Sequence, residues 1–168
     1  LPTASLQPFA PPCETADRNA FFTGGSIKRI YGYDTQESQP EVAVPRLDVG
    51  DFENFALFKG YFIELTTPQS TALSIPCTPV SIVPPGGVPV LDAHIERTRI
   101  YRGWNLISLP GTTPRPLTDF TGDTTFKLIE CSQGYSCVEI ARDSMIYPGQ
   151  PYWVYTDQAF DINYIIQR

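Results

Sequence analysis

Gly60-Tyr61-Phe62-Ile63-Glu64-Leu65 and Pro151-Tyr152-Trp153-Val154-Tyr155-Thr156 read as one strand written twice. Both are rich in the aromatic and β-branched residues that suit a pleated, half-buried surface. An earlier landmark recurs in the same order. Phe22-Thr23-Gly24 followed by Arg29-Ile30-Tyr31 returns as Phe120-Thr121-Gly122 followed by Lys127-Leu128-Ile129. The strand copies lie 91 residues apart and the Phe-Thr-Gly copies 98, so the first copy is 7 residues longer between the landmarks. The extra length falls in the polar turn Asp34–Pro40 or around Asp48–Asn54, where an insertion costs little. Self-similarity at this period marks a duplicated structural unit. The repeated residues are core-type apolars rather than reactive groups, so the repeat describes architecture.

The rest of the chain reads as strands and turns. Ser5–Phe9 and Ala20–Phe22 suit short edge strands, Ser26–Tyr33 and Glu41–Pro45 a hairpin, and Ala72–Ile75 a further strand. The prolines of residues 76–90 block ladder hydrogen bonds, which makes this stretch the crossover between the two units, with Pro-Pro-Gly-Gly at its corner. Val90–Tyr101 alternates, with Leu91, Ala93 and Ile95 on one face and Asp92, His94 and Glu96 on the other, as in a half-solvated strand. In Trp104–Leu109 the alternation puts Trp104, Leu106 and Ser108 on one face and Asn105, Ile107 and Leu109 on the other. Trp104 is expected to anchor the core, and Asn105 to cap turn backbone through its amide. Thr125–Glu130 and Val138–Arg142 form a hairpin, and Tyr152–Thr156 and Ala159–Ile166 close the chain. No window sustains a helical apolar period for three turns. The expected fold is all-β: an antiparallel β-sandwich built from two related units, at residues 1–83 and 84–168, which could share one core.

Composition narrows the function. Of the 168 residues, 42% are hydrophobic and 18% charged, which is the composition of a folded chain. A net charge of -6 with 12 Lys plus Arg leaves no basic stripe for nucleic acid and no polybasic patch for a membrane surface. No apolar run reaches the ~20 residues of a membrane span. Leu1 reads as the start of a processed or excised chain.

Four cysteines allow three disulfide connectivities. Cys131 and Cys137 flank a turn-like Ser-Gln-Gly-Tyr-Ser, which makes a local bridge easy and leaves Cys13–Cys77 as the second. The rival reading, a metal site, has no Cys-x-x-Cys and only the distant His94 to draw on. Disulfides imply an oxidising, extracellular-type compartment.

Gly103-Trp104-Asn105-Leu106-Ile107-Ser108-Leu109-Pro110, then a hairpin, then Pro148-Gly149-Gln150-Pro151-Tyr152-Trp153-Val154, resembles a β-module of secreted prokaryotic cell-surface proteins, S-layer-like and adhesin-like, where it often stands in tandem. The resemblance covers about residues 100–164 well and 22–75 weakly. The weaker copy has Phe58-Lys59 where the family's Pro-Gly would sit. It also lacks the Trp-Asn strand, whose place falls near Ser5–Pro12 with a poor match. The resemblance implies an extracellular β-module and carries no catalytic residues over.

The residues offer few sites. His94 with Asp92 on one strand face is the most that a hydrolase could use, and no Gly-x-Ser-x-Gly elbow accompanies it; a solvated surface histidine is the plain alternative. Acids among Asp48, Asp51 and Glu53, or Asp119 with Asp123, or Asp157 with Asp161, could be paired for glycoside hydrolysis, but they sit in polar, loop-like contexts that do not promise the apolar burial a raised carboxyl pKa needs. Asp48, Asp51 and Glu53 are loop acids that could hold a structural calcium ion, in a spacing that is not an EF-hand. No other cofactor is expected. In Tyr152–Tyr155, Trp153 and Tyr155 share a face, which suits core or subunit packing and, if outward, a carbohydrate platform. Tyr135, at the tip of the disulfide turn, is a rigid contact point. The expected function is a non-catalytic structural or adhesive module, extracellular or at the cell surface, whose partners are other subunits or copies of itself. Strand-edge pairing is its assembly mode. Glycan binding through Trp153, Tyr155 or neighbouring tyrosines is the first alternative, and a secreted hydrolase the second.

Overall fold

The structure, a computed structural model, describes residues 6–9, 15–17, 27–44, 49–52, 54–65, 80–86, 95–131 and 136–167. It is all-β. The first part holds β1 (Leu6–Phe9), β2 (Thr15–Asp17), β3 (Ile27–Asp34), β4 (Gln39–Val44), β5 (Val49–Gly50), β6 (Asn54–Ala56) and β7 (Tyr61–Leu65). The remainder holds β8 (Ser81–Val83), β9 (Ile95–Ile100), β10 (Gly103–Ser108), β11 (Arg115–Pro116), β12 (Lys127–Cys131), β13 (Cys137–Ile140), β14 (Met145–Ile146), β15 (Pro151–Thr156) and β16 (Phe160–Gln167). Among the described residues the one helix is a single turn, α1 (Thr118–Thr121), which the sequence pattern did not announce. It is closed by Gly122 at φ 61°, whose N–H donates to Thr118 O at 2.9 Å.

The duplication is visible strand by strand. One sheet runs β1-β7-β3-β4-β5 and another β10-β15-β12-β13, all antiparallel. The register gives the equivalences. Tyr31 faces Phe62 as Ile129 faces Trp153, and Ile30 faces Ile63 as Leu128 faces Val154. Leu6 faces Glu64 as Trp104 faces Tyr155, so β1 is the counterpart of β10 despite the poor match in residues. Two-stranded ribbons, β2 with β6 and β11 with β14, repeat as well. The longer first copy gains its residues after the hairpin. Ala43 of β4 and Tyr61 are 18 positions apart, their counterparts Ile140 and Tyr152 only 12. That length forms β5, which pairs with β4 and has no equivalent beside β13.

Each unit has its own core. Phe9, Ile27, Ile30, Ala43, Phe55, Tyr61, Ile63 and Leu65 pack together in the first. In the second, the sheet containing β10 and β15 and the three-stranded sheet β8-β16-β9 contribute to one cluster, which includes Ile107, Leu128, Val154, Ile82, Ile100 and Ile162. Strand β8 lies on the first side of the expected boundary at residue 83, yet it pairs with β16.

The tyrosine that leads each repeated strand explains why it recurs. Ala56 N–H donates to Tyr61 Oη at 3.1 Å, and Tyr147 N–H donates to Tyr152 Oη at 3.1 Å. Lys59 N–H reaches Ala56 O at 3.3 Å, as Gln150 N–H reaches Tyr147 O at 3.2 Å. These are the same turn, clasped by a buried phenol across the same five residues. The register places Leu57-Phe58, not Phe58-Lys59, opposite Pro148-Gly149. Phe58 (φ 58°) and Gly149 (φ 83°) both take the left-handed conformation, which is routine for glycine and strained for phenylalanine.

That strain is explained by where Phe58 goes. Its ring lies in the second unit's core, 5.6 Å from Phe120 and 4.8 Å from Tyr164 between centroids. The backbone around it pairs with the outer edge of β10: Ser108 N–H donates to Phe58 O at 3.1 Å, and Gly60 N–H to Leu106 O at 3.0 Å. Ser108 Oγ adds a bond to Lys59 O at 2.8 Å. A Cβ on Gly60 would lie 2.8 Å from Ile107 O and 2.8 Å from Pro151 Cβ, so the close approach requires glycine. The two units are thus joined along a hydrogen-bonded seam with one aromatic plug.

Two expectations about faces are corrected. Trp104 does not anchor the core: it is 42% exposed, while Ile107 of the opposite face enters the second unit's core and Leu106 and Ser108, on Trp104's own face, are buried, Leu106 close to Gly60 of the first unit. Ile95 is 50% exposed, and the inward phase of β9 ends on Ile100 instead. Asn105 does cap the turn: its amide accepts from Tyr101 N–H at 3.0 Å and donates to Tyr101 O at 2.8 Å and Gly103 O at 3.0 Å.

Candidate functional site

The two units differ most on their outward faces. On the first, Glu64 of β7 is buried among Lys28 (2.7 Å), Tyr31 Oη (2.8 Å) and Arg29 (3.6 Å). The hydrogen bond from Lys28 holds the Glu64 carboxyl below its ordinary range, with Tyr31 and Arg29 adding to the effect against the opposing cost of burial. The Tyr31 hydroxyl, and after it the Glu64 charge, raise the Arg29 guanidinium. On the second unit the position of Glu64 is taken by Tyr155, and that of Leu6 by Trp104. An ionic cluster on one face is replaced by an aromatic one on the other.

Trp153 and Tyr155 share a face, and that face is the partly exposed one, while Tyr152, Val154 and Thr156 are buried beneath. They do not form an isolated pair. Trp104 packs on Tyr155 with centroids 5.1 Å apart, and edge-on to Trp153 at 6.3 Å. Tyr33, reaching across from β3 of the first unit, stands edge-on to Trp153 at 5.2 Å. The row Tyr33, Trp153, Trp104, Tyr155 therefore crosses the seam. Sequence alternation located Trp153 and Tyr155. Nothing local to Tyr33 connects it with a strand 120 positions away.

Beside Tyr33 the seam opens into a cleft of about 200 Å³, lined by Tyr33, Asp34, Glu41, Lys59, Arg99 and Tyr101 with neighbouring backbone. Its charges are matched. Lys59 is paired with Glu41 and lies over the rings of Phe52 and Tyr61. Arg99 meets Asp161 at 3.0 Å. Asp34 accepts Gln36 N–H at 2.8 Å and Glu37 N–H at 3.0 Å, fixing the β3–β4 turn.

The other candidates are dispersed. Cys131 and Cys137 are joined by a disulfide across the β12–β13 hairpin, with Cα atoms 4.1 Å apart. Cys13, Cys77, Tyr135, Asp92 and His94 lie outside the described residues, as do Asp48 and Glu53. Of the calcium candidates that leaves Asp51, whose carboxylate accepts Val42 N–H at 2.8 Å and so secures β5 to β4. Among the described residues no group of three metal-ligating side chains converges, and no helix is long and apolar enough to cross a membrane.

Comparison with protein-family models, with curated proteins and with solved structures finds no match to this chain.

Proposed function

We propose that this chain is a non-catalytic, extracellular structural module that assembles with copies of itself or with other subunits of a surface layer, filament or secreted complex. The observation that carries this reading is the fate of the two equivalent sheet edges. In the first unit β5 covers the edge of β4, whereas β13 ends its sheet with no strand beyond it among the described residues. The open edge presents Val138, 54% exposed, next to a disulfide that stiffens the hairpin. An unpaired edge is a template for a strand of another chain. The disulfide supports an oxidising compartment.

Size-exclusion light scattering with negative-stain imaging tests the proposal. Concentration-dependent assembly is expected. The close Cys131–Cys137 pair, 4.1 Å between Cα atoms, is a non-hydrogen-bonded pair, so two positions further on the N–H of Glu139 also faces the open edge. Glu139→Pro removes that outward donor and is expected to abolish assembly. A strict monomer at high concentration sinks the reading, as does assembly that Glu139→Pro leaves unchanged.

A further inference from the structure

We infer that the cleft at the seam, together with the aromatic row leading from it, is a binding site for a neutral oligosaccharide. The inference is independent of assembly through β13. It rests on three observations.

The first is size and continuity. A cleft of about 200 Å³ is below the range of sites for drug-sized ligands and suits one ring-sized group. Tyr33 both lines it and touches Trp153, so one ring ends the cleft and begins the row that runs on through Trp153 to Trp104 and Tyr155. A chain of sugar rings places one ring in the cleft and its neighbours along the row.

The second is exposure. Trp104 is 42% exposed in a unit whose inward positions are filled by other side chains, and Trp153 and Tyr155 keep part of their surface in solvent. The apolar C–H face of a pyranose covers such rings while its hydroxyls stay wet. The equivalent face of the first unit carries Tyr31 and Phe62, but it sets Glu64 with its basic partners among them in place of Tyr155.

The third is charge. The cleft's cations are already paired, Lys59 with Glu41 and Arg99 with Asp161, and the Asp34 carboxylate is held by backbone N–H groups. A charged ligand would compete with these partners, of which Lys59–Glu41 is part-buried. A hydroxyl both donates and accepts, so it can bond to carboxylate and phenol oxygens without displacing anything. The net charge of -6 also disfavours an anionic glycan.

The experiment titrates the intact chain with cellohexaose, chitohexaose, laminarihexaose, maltohexaose and mannohexaose, and with polygalacturonate as the anionic control. Calorimetry reads affinity, and tryptophan emission reads occupancy of the row. At least one neutral hexaose is expected to bind and shift the emission. Trp104→Ala and Tyr33→Ala are each expected to weaken binding about tenfold or more, as central aromatic contacts do. Tyr147→Ala, at an exposed tyrosine away from the row, is expected to change nothing. A thermal melt of each variant separates lost binding from lost folding, and Tyr33→Phe, which keeps the ring, serves if Tyr33→Ala is unstable. Binding by none of the hexaoses overturns the proposal. Equal binding by the row variants, or a preference for polygalacturonate, overturns it too.

Discussion

Phe58 and Gly149 occupy one position of the repeat and show what each side chain contributes there. The left-handed backbone costs a phenylalanine roughly 1–2 kcal/mol. Removing a buried phenylalanine costs about 3–5 kcal/mol, so the plug outweighs the strain. Phe58→Gly is therefore expected to destabilise the protein by about 2–3 kcal/mol in chemical denaturation, and Phe58→Ala by more, since it loses the plug and keeps most of the strain. The paired tyrosines give a sharper test. Tyr61→Phe and Tyr152→Phe each leave a backbone N–H without its partner, and each is expected to cost about 1–3 kcal/mol. Burial raises both phenols above their ordinary value, most strongly Tyr61. The folded state thus holds protons that the unfolded chain releases. Stability is complete below the unfolded phenol value near pH 10 and falls as pH rises beyond it. Absorbance of tyrosinate should accordingly appear for Tyr61 only together with unfolding. At the acid end the sign is opposite. Glu64 is held down by Lys28, so its contribution is present above the ordinary carboxyl range and is lost as pH falls through and below it. Glu64→Gln should flatten that limb of the stability profile.

At the scale of elements, the β12–β13 hairpin carries its own staple. Cys131 and Cys137 are 6 positions apart, and closing so short a loop contributes roughly 2 kcal/mol through the unfolded chain. Reduction is expected to lower the melting temperature without unfolding the protein at room temperature. The hairpin was legible because its signals are local: alternation, a turn-like stretch and flanking cysteines. The strands β3, β7, β10, β15 and β16 were legible for the same reason. What alternation could not supply was the side of the sheet that a neighbouring unit would cover. Trp104 reads as a core anchor from size alone, yet its strand turns Asn105 inward, where three backbone groups absorb the amide. Helix α1 went unseen because one turn has no period to detect; Phe120 is buried there against Phe58, which comes from a different unit. Strand β5 is two residues long and is secured by Asp51, whose carboxylate read equally well as a calcium ligand.

For the whole molecule, the duplication was legible down to register, because cores repeat when backbones do. The seam was not, because it joins Gly60 to Leu106 and Tyr33 to Trp153, contacts with no footprint in either repeat alone. Gly60→Ala tests it directly. Its Cβ would press on the Ile107 carbonyl and on Pro151, so the units must separate locally, at an expected loss of about 1–3 kcal/mol. Enhanced proteolysis or amide exchange in residues 57–60 and 106–108 is expected to accompany that loss. The seam also bears on how many units such a chain can string together. When a unit is copied in tandem, a contact that the first copy makes to the second is offered again by the second to a third. Here the offer is withdrawn. Gly149 has no ring to insert where Phe58 has one, and Pro151 has no N–H where that of Gly60 reaches Leu106. The chain's grammar is that of a closed couplet, and a third stanza added by duplication would find nothing to rhyme with.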